Sequence, residues 1–263
     1  AVLCLPDEAA RQSVEMIKNS STIIIDASTA HRTLEGWAYG FPELGESFRR
    51  GIAKGKRIAV PGCHATGFIA LVYPLVKLGL MSEDYPVVCH SVTGYSGGGK
   101  KMISDYANPL RSQDYKAPRQ YALGLKHKHL PEMKKYTGLK RSPLFNPILG
   151  DYYSGMAVSV PLQTTLLPGT PTAMELHRAI AKFYVKEKLV RVAPFADHKA
   201  FAGGFLNPEY LSGKDYLEII VSGHEEQAQL IALFDNLGKG ASGAAVQCLN
   251  IACGLNEATG LSI

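Results

Sequence analysis

The run Lys56-Arg57-Ile58-Ala59-Val60-Pro61-Gly62-Cys63-His64-Ala65-Thr66-Gly67 constrains this chain most, because a strand breaks there at a proline–glycine turn and a cysteine follows at once. Lys56 to Val60 is short, apolar and partly β-branched, which is strand composition. Pro61-Gly62 turns the chain. Beyond it Phe68, Leu71, Val72 and Leu75 recur at helical spacing, which predicts a helix from near Thr66. Cys63 is thus expected just ahead of a helix N-terminus, where unpaired N–H groups and the macrodipole favour a thiolate. Taken alone, the residue fits a small buried core cysteine as well.

Upstream, 1–5 reads as a buried strand and Pro6-Asp7 as a turn into a helix. Ala10, Val14 and Ile17 mark one face of that helix, which ends near Asn19. Thr22-Ile23-Ile24-Ile25-Asp26 is the near-continuous apolar run that a parallel sheet buries. Strand, helix, strand is a βαβ unit, and such sheets bind ligands beyond the carboxyl ends of their strands. Pro6-Asp7, the stretch 27–32 and Cys63 all fall there. Because the chain opens on a core strand, a further segment upstream is expected. Residues 36–55, with scattered aromatics, Gly and Pro, read as an ordered loop.

From Val87 the texture changes. Strands are predicted at 88–93, 157–162, 190–193, 217–222 and around 230–234, and Thr172-x-x-Glu175 is a capping box opening a helix with Leu176, Ile180 and Phe183 on one face. The small, apolar stretch 242–254 reads as a buried helix. Strands interrupted by helices in this way predict a second, α+β domain on a mixed or antiparallel sheet.

Lys and Arg number 28 against 23 Asp and Glu, a net charge of +5. That dispersed, mild excess suits small anionic substrates and argues against nucleic acid. The five cysteines (Cys4, Cys63, Cys89, Cys248, Cys253) are odd in number and lack paired spacing, which reads as a reducing, cytosolic-type compartment without disulfides. No stretch is long and apolar enough to span a bilayer, and none resembles a signal peptide.

His127-Lys128-His129-Leu130-Pro131-Glu132 is the second constellation. Pro131 suits a first helical turn, so Glu132 could face back and fix the His129 ring, and a His held by a carboxylate is the usual partner of a Cys nucleophile. A metal site and a solvated basic loop are the other readings, although a structural zinc needs four ligands and no cysteine is near in sequence. Ser96-Gly97-Gly98-Gly99-Lys100 reads as a phosphate cradle or equally as a flexible turn, since it lacks P-loop spacing. Arg111 and Arg119, in a Tyr-rich stretch, are candidates for an anion. Tyr152-Tyr153-Ser154-Gly155 reads as a substrate rim or as packed aromatics.

In order, the segments Pro61-Gly62-Cys63-x-x-Thr66-Gly67, Gly94-Tyr95-Ser96-Gly97-Gly98-Gly99-Lys100, His127-x-His129-x-Pro131-Glu132, Tyr152-x-Ser154-Gly155-Met156 and Lys239-Gly240-Ala241-Ser242-Gly243-Ala244-Ala245-Val246-Gln247 span the chain. Together they resemble the N-acetyl-γ-glutamyl-phosphate reductases of arginine biosynthesis, in their shorter type. The resemblance implies an α/β plus α+β fold: part of an NADP-binding Rossmann domain at 1–63, an inserted catalytic and dimerisation domain at 64–238, and a C-terminal helix at 239–263 returning to the Rossmann domain. It implies NADPH-dependent reductive dephosphorylation of the acyl phosphate through a Cys63 thioester, with His129 as acid/base and Glu132 orienting it. It places Ser28, Gly97, Gly98, Ser242 and Gly243 near NADP(H), leaves Arg111, Ser154 and Gly155 for the substrate, and implies a homodimer or homotetramer. The family's Gly-rich fingerprint would precede residue 1, and His64 stands where many members carry Tyr; packing is its expected role. Other acyl phosphates (aspartyl, or carrier-bound glutamyl or aminoadipyl) are alternative substrates, and a Cys–His hydrolase or acyltransferase is the alternative class.

Overall fold

A computed structural model describes residues 1–263, apart from the side chain of Ala202. Two sheets organise it. The first is parallel, with strands Val2–Leu3, Ile24–Asp26, Arg57–Ala59 and Ala38–Tyr39 in that order. Helix Asp7–Met16 joins its first two strands. The expected loop at 36–55 is corrected by the structure: it holds strand Ala38–Tyr39, a 3₁₀ turn Pro42–Leu44 and helix Glu46–Lys54. That helix carries Gly51 in its interior and fully buries only Ile52, so its apolar stripe is short. It packs with the C-terminal helix Gly243–Ala252 against Ile25, Ile58 and Val60. Small residues permit the closeness: a Cβ on Gly40 would stand 2.8 Å from Cys248 Sγ.

The second sheet is mixed. Its order is Arg119–Gln120, Leu144–Leu149, Val88–Thr93, Met156–Gln163, Gln227–Phe234, Leu217–Gly223, Val190–Val192. The hairpin Leu217–Gly223/Gln227–Phe234 and its neighbour Met156–Gln163 are antiparallel, while Val88–Thr93 runs parallel to Leu144–Leu149.

Across this sheet lies helix Cys63–Lys77, which buries Phe68, Ile69, Leu71, Val72 and Leu75 completely. Each such side chain contributes about 1.5–3 kcal/mol when removed from water. Gly67 lets the helix touch the sheet, since a Cβ there would lie 2.5 Å from Val158 Cγ2. Pro74 inside the helix has no N–H, which frees the Ala70 carbonyl. The Tyr184 hydroxyl donates to that oxygen at 2.9 Å. Tyr184 closes helix Ala173–Tyr184, whose capping box of Thr172 and Glu175 is formed as predicted. Among the described residues no helix is long and apolar enough to cross a membrane.

Candidate active site

Cys63 is the first residue of its helix rather than a residue ahead of it. Gly62 is the N-cap, and its carbonyl accepts from the Thr66 N–H at 2.8 Å and the Thr66 hydroxyl at 3.1 Å. A cavity of about 760 Å³ opens over this junction, between the carboxyl end of strand Ile24–Asp26, the Gly-rich turn and the stretch 119–129. Cys63, His64, His127 and His129 line it together. So do Arg32, Arg119 and Lys128, and no Asp or Glu does, so the wall is cationic.

His129 packs on the Gly62 backbone: a Cβ at Gly62 would lie 2.5 Å from His129 Nε2 and 2.4 Å from Arg32 Nη1. Only glycine leaves room for both side chains beside the nucleophile. The expected orientation of His129 by Glu132 is corrected by the structure. Glu132 accepts instead from Arg32 Nη1 at 2.9 Å, the Tyr39 hydroxyl at 2.9 Å and the Gly62 N–H at 3.2 Å. His129 Nδ1 has no hydrogen-bond partner among the described residues. The reason is placement: Pro131 does begin the helix Leu130–Thr137, but Glu132 lies in its buried first turn, facing the first sheet rather than His129.

Arg32 completes the seam, with Nε on the Val60 carbonyl at 2.9 Å and Nη2 on the Ala27 carbonyl at 3.0 Å. Neither Arg32 nor Tyr39 stood out in the sequence; 31–32 offered only its position past a strand end.

Burial pushes the Cys63 thiol above its ordinary value, against the Arg32 charge and the His64 N–H, which favour the thiolate. Desolvation therefore opposes the thiolate that the helix terminus and these contacts favour. Burial likewise holds His129 well below the usual imidazole range, with the Arg32 charge adding to it. Cys63 and His129 are thus a neutral thiol and a neutral imidazole.

His64 is buried and bonded at both nitrogens, Nδ1 with Ser91 Oγ and Nε2 with the Tyr121 hydroxyl, each at 2.7 Å. Burial brings its pKa down to about 3, so it packs as a neutral ring. His127, whose ring centroid is 4.7 Å from that of His129, is lowered to about 4 by burial. Among the described residues no group of three or more His, Cys, Asp or Glu is placed to hold a metal ion.

The Gly-rich stretch is an ordered turn at the cavity wall. The N–H groups of Gly94, Tyr95 and Ser96 donate to the carbonyls of Gly155, Tyr152 and Tyr153. A 3₁₀ turn Tyr95–Gly98 then leads into helix Gly99–Ala107. Gly97 and Gly98 do line the cavity. Asn236, missed in the sequence, pins this wall by donating to Ser96 Oγ and accepting from the Gly155 N–H, both at 2.9 Å.

Other expected contacts stand off the cavity wall. Ser28 donates to Asp26 at 2.7 Å, and its neighbour Ala27 lines the cavity in its place. Ser242 donates to the Leu237 carbonyl at 2.6 Å, and a Cβ on Gly243 would meet Asp215 Oδ1 at 2.3 Å; Gly240 and Ala241 line the wall instead. Arg111 forms a two-pronged pair with Asp151, both contacts at 2.7 Å. The Ser154 carbonyl accepts from Ser212 Oγ at 2.7 Å, and Gly155 is fixed by Asn236. Behind Cys63 sits Gly240, where a Cβ would come within 3.1 Å of Cys63 Cβ. Its neighbour Lys239 is buried, with Nζ 2.6 Å from Glu43 and 2.5 Å from Gln247.

Residues 63–236 match the family described as semialdehyde dehydrogenase, dimerisation domain. A relative from Nostoc sp., N-acetyl-gamma-glutamyl-phosphate reductase 2, is 44% identical over 99% of this chain and 83% of its own length. A second, the N-acetyl-gamma-glutamyl-phosphate reductase of Chelativorans sp., is 48% identical over 95% of this chain and 81% of its own. The chain belongs to the N-acetyl-γ-glutamyl-phosphate reductase family. Its fold is also that of aspartate semialdehyde dehydrogenase II from Vibrio cholerae, with a TM-score of 0.72 at 16% identity, covering 96% of this chain and 79% of that one. Membership makes this an oxidoreductase of the semialdehyde dehydrogenase type, with a Rossmann half and a dimerisation half.

Proposed function

We propose that this chain reduces N-acetyl-γ-glutamyl phosphate to N-acetylglutamate semialdehyde with release of phosphate, through a thioester on Cys63. The observation that carries the reading is a cysteine at a helix N-terminus, beside a neutral histidine, in a cavity with three cations and no carboxylate. In this reading His129 takes the thiol proton as Cys63 Sγ attacks the acyl carbon. The C–O bond to phosphate breaks, and phosphate leaves as an anion beside Lys128. Splitting the reaction at a thioester replaces one hard displacement by two easier steps.

NADP(H) is part of the proposal. The wall made by Gly97, Gly98, Gly240 and Ala241 presents backbone and a single methyl, which fits a flat ring close to Cys63. Gly97, Gly98 and Ala27 would hold the cofactor, with Ser28, Ser242 and Gly243 shaping the turns behind them. Bound NADPH would supply the hydride that reduces the thioester. His129 returns its proton to the oxygen that gains charge, then takes that proton back as the Cys63 C–S bond breaks; the aldehyde departs and the proton passes to the Cys63 sulfur. Arg32, held by Glu132, keeps positive charge near the thiolate throughout.

The division at 1–63, 64–238 and 239–263, a homodimer or homotetramer, and a cytoplasmic setting belong to the same proposal. Five cysteines without disulfides support the setting.

The test is phosphate-dependent reduction of NADP by N-acetylglutamate semialdehyde, with Cys63→Ser and aspartate semialdehyde as controls. Turnover of the acetylated substrate that disappears in the serine variant supports the proposal. Turnover only with aspartate semialdehyde, or undiminished in the serine variant, overturns it.

A further inference from the structure

Of the three cations on the cavity wall, Arg32 is spent on Glu132 and on two backbone carbonyls. Arg119 is held differently. Its Nε and Nη2 both donate to the Tyr106 hydroxyl, at 3.2 and 2.6 Å, and its guanidinium lies 4.1 Å over the Tyr115 ring and 5.2 Å over that of Tyr106. Among the described residues no carboxylate pairs with it. Arg111, its neighbour on the same Tyr106 ring, is neutralised by Asp151 and stands outside the cavity. Arg119 is therefore a cation braced by aromatic rings, with little freedom left to lose on binding an anion.

We propose that Arg119 binds the α-carboxylate of the substrate, leaving Lys128 for the phosphate; the assignment rests on the reaction proposed above. The substrate carries two anionic groups, the phosphate on the reacting carbon and the carboxylate at the far end of a short chain. The phosphate must sit beside Cys63. Lys128 stands between His127 and His129, whose ring centroids lie 5.5 and 5.6 Å from that of His64, the residue next to Cys63, and its charge acts on Cys63 itself. Lys128 is thus the cation at the reacting end. Arg119 stands on the edge strand Arg119–Gln120, held against Tyr106 of helix Gly99–Ala107. A rigid guanidinium suits a carboxylate, which it grips through paired donors, and phosphate tolerates a flexible ammonium.

Calorimetry on the full chain tests this without turnover. The probes are N-acetylglutamate and 4-acetamidobutyrate, which differ only in the α-carboxylate. The wild type is expected to prefer the first by about 10–100-fold, the worth of a charge-assisted carboxylate contact. Arg119→Met should reduce that preference to within about threefold, and Arg119→Lys should restore part of it. In turnover, Arg119→Met should raise KM for N-acetylglutamate semialdehyde and leave KM for phosphate unchanged. Should Arg119→Met not fold, Arg119→Lys alone carries the test, as a partial loss of preference with KM for phosphate intact. A preference absent in the wild type or unaltered by substitution, or a rise in KM for phosphate instead, overturns the assignment. If the wild type discriminates through Arg119 yet does not turn over the semialdehyde, the carboxylate site stands and the proposed reaction falls.

Discussion

Glu132→Gln probes the seam between the first sheet and the nucleophile's helix. The carboxylate accepts from Arg32 Nη1 at 2.9 Å, the Tyr39 hydroxyl at 2.9 Å and the Gly62 N–H at 3.2 Å, and it is 1% exposed. A carboxamide has one accepting oxygen, and its NH₂ would face a donor on the other side. Arg32, itself buried, would lose its counter-charge. Removing one partner of a buried ion pair costs about 3–5 kcal/mol. Glutamine keeps the shape and one acceptor, so the low end, about 3 kcal/mol, is expected. In a chain of this size that lowers Tm by about 6–12 °C. Turnover should fall as well, because Gly62 caps the helix that begins at Cys63, and a displacement of about 1 Å at a reacting group costs about 100-fold. Urea unfolding read beside turnover measures both, and a double substitution with Arg32→Met isolates the pair. A loss below about 1 kcal/mol with normal turnover would refute the seam as the device that sets Cys63.

Iodoacetamide should label Cys63 slowly near neutral pH and about tenfold faster per pH unit through pH ~9, because its thiol is raised and only the thiolate reacts. Peptide mass spectrometry should find it ahead of the fully buried Cys89 and Cys248, and a rate that levels off near neutral pH would contradict the raised thiol. His64 is held at about 3 when folded, so the unfolded chain protonates first and stability falls as pH drops below about 6.5. That amounts to roughly 2 kcal/mol at pH ~5 from His64 alone, with His127 and His129 adding in the same direction. Urea midpoints that do not change from pH ~7.5 to ~5 would rule out these buried neutral rings. Gly62→Ala places a methyl within 2.5 Å of His129 Nε2 and 2.4 Å of Arg32 Nη1, so at least a 100-fold loss of turnover is expected. Near-normal kinetics for that variant would show the packing against Gly62 to be dispensable.

The parts legible in the sequence are those where local pattern and tertiary role agree. The strand at 88–93 and the capping box at Thr172 are examples, and the helix after Cys63 was legible in all but its first turn. Leu144–Leu149 escaped notice because Asn146-Pro147 reads as a breaker. The sheet tolerates it since the Pro147 carbonyl faces Tyr121 and its missing N–H faces the same way, towards a neighbouring strand of two residues. Glu46–Lys54 was hidden by Gly51 and by a stripe too short to show periodicity. In the site, Cys63 was marked by its strand–turn–helix junction, whereas His129, Gly97 and Gly98 stood out from their rival readings only through the family resemblance; all four line one cavity. Arg32, Tyr39 and Asn236 were not legible, because their partners are distant in sequence: Arg32 meets Glu132 a hundred positions away. Nor could the pattern weigh burial against charge at Cys63, which only the folded geometry decides.

The most direct test of the central claim is to trap the acyl group. The enzyme would be mixed with N-acetylglutamate semialdehyde and NADP in the absence of phosphate, then quenched in acid and digested for mass spectrometry. The account predicts one N-acetylglutamyl group on the peptide bearing Cys63, absent from Cys63→Ser and discharged when phosphate is added before the quench. NADP reduction on addition of phosphate, with no adduct on Cys63 at any time, would contradict it.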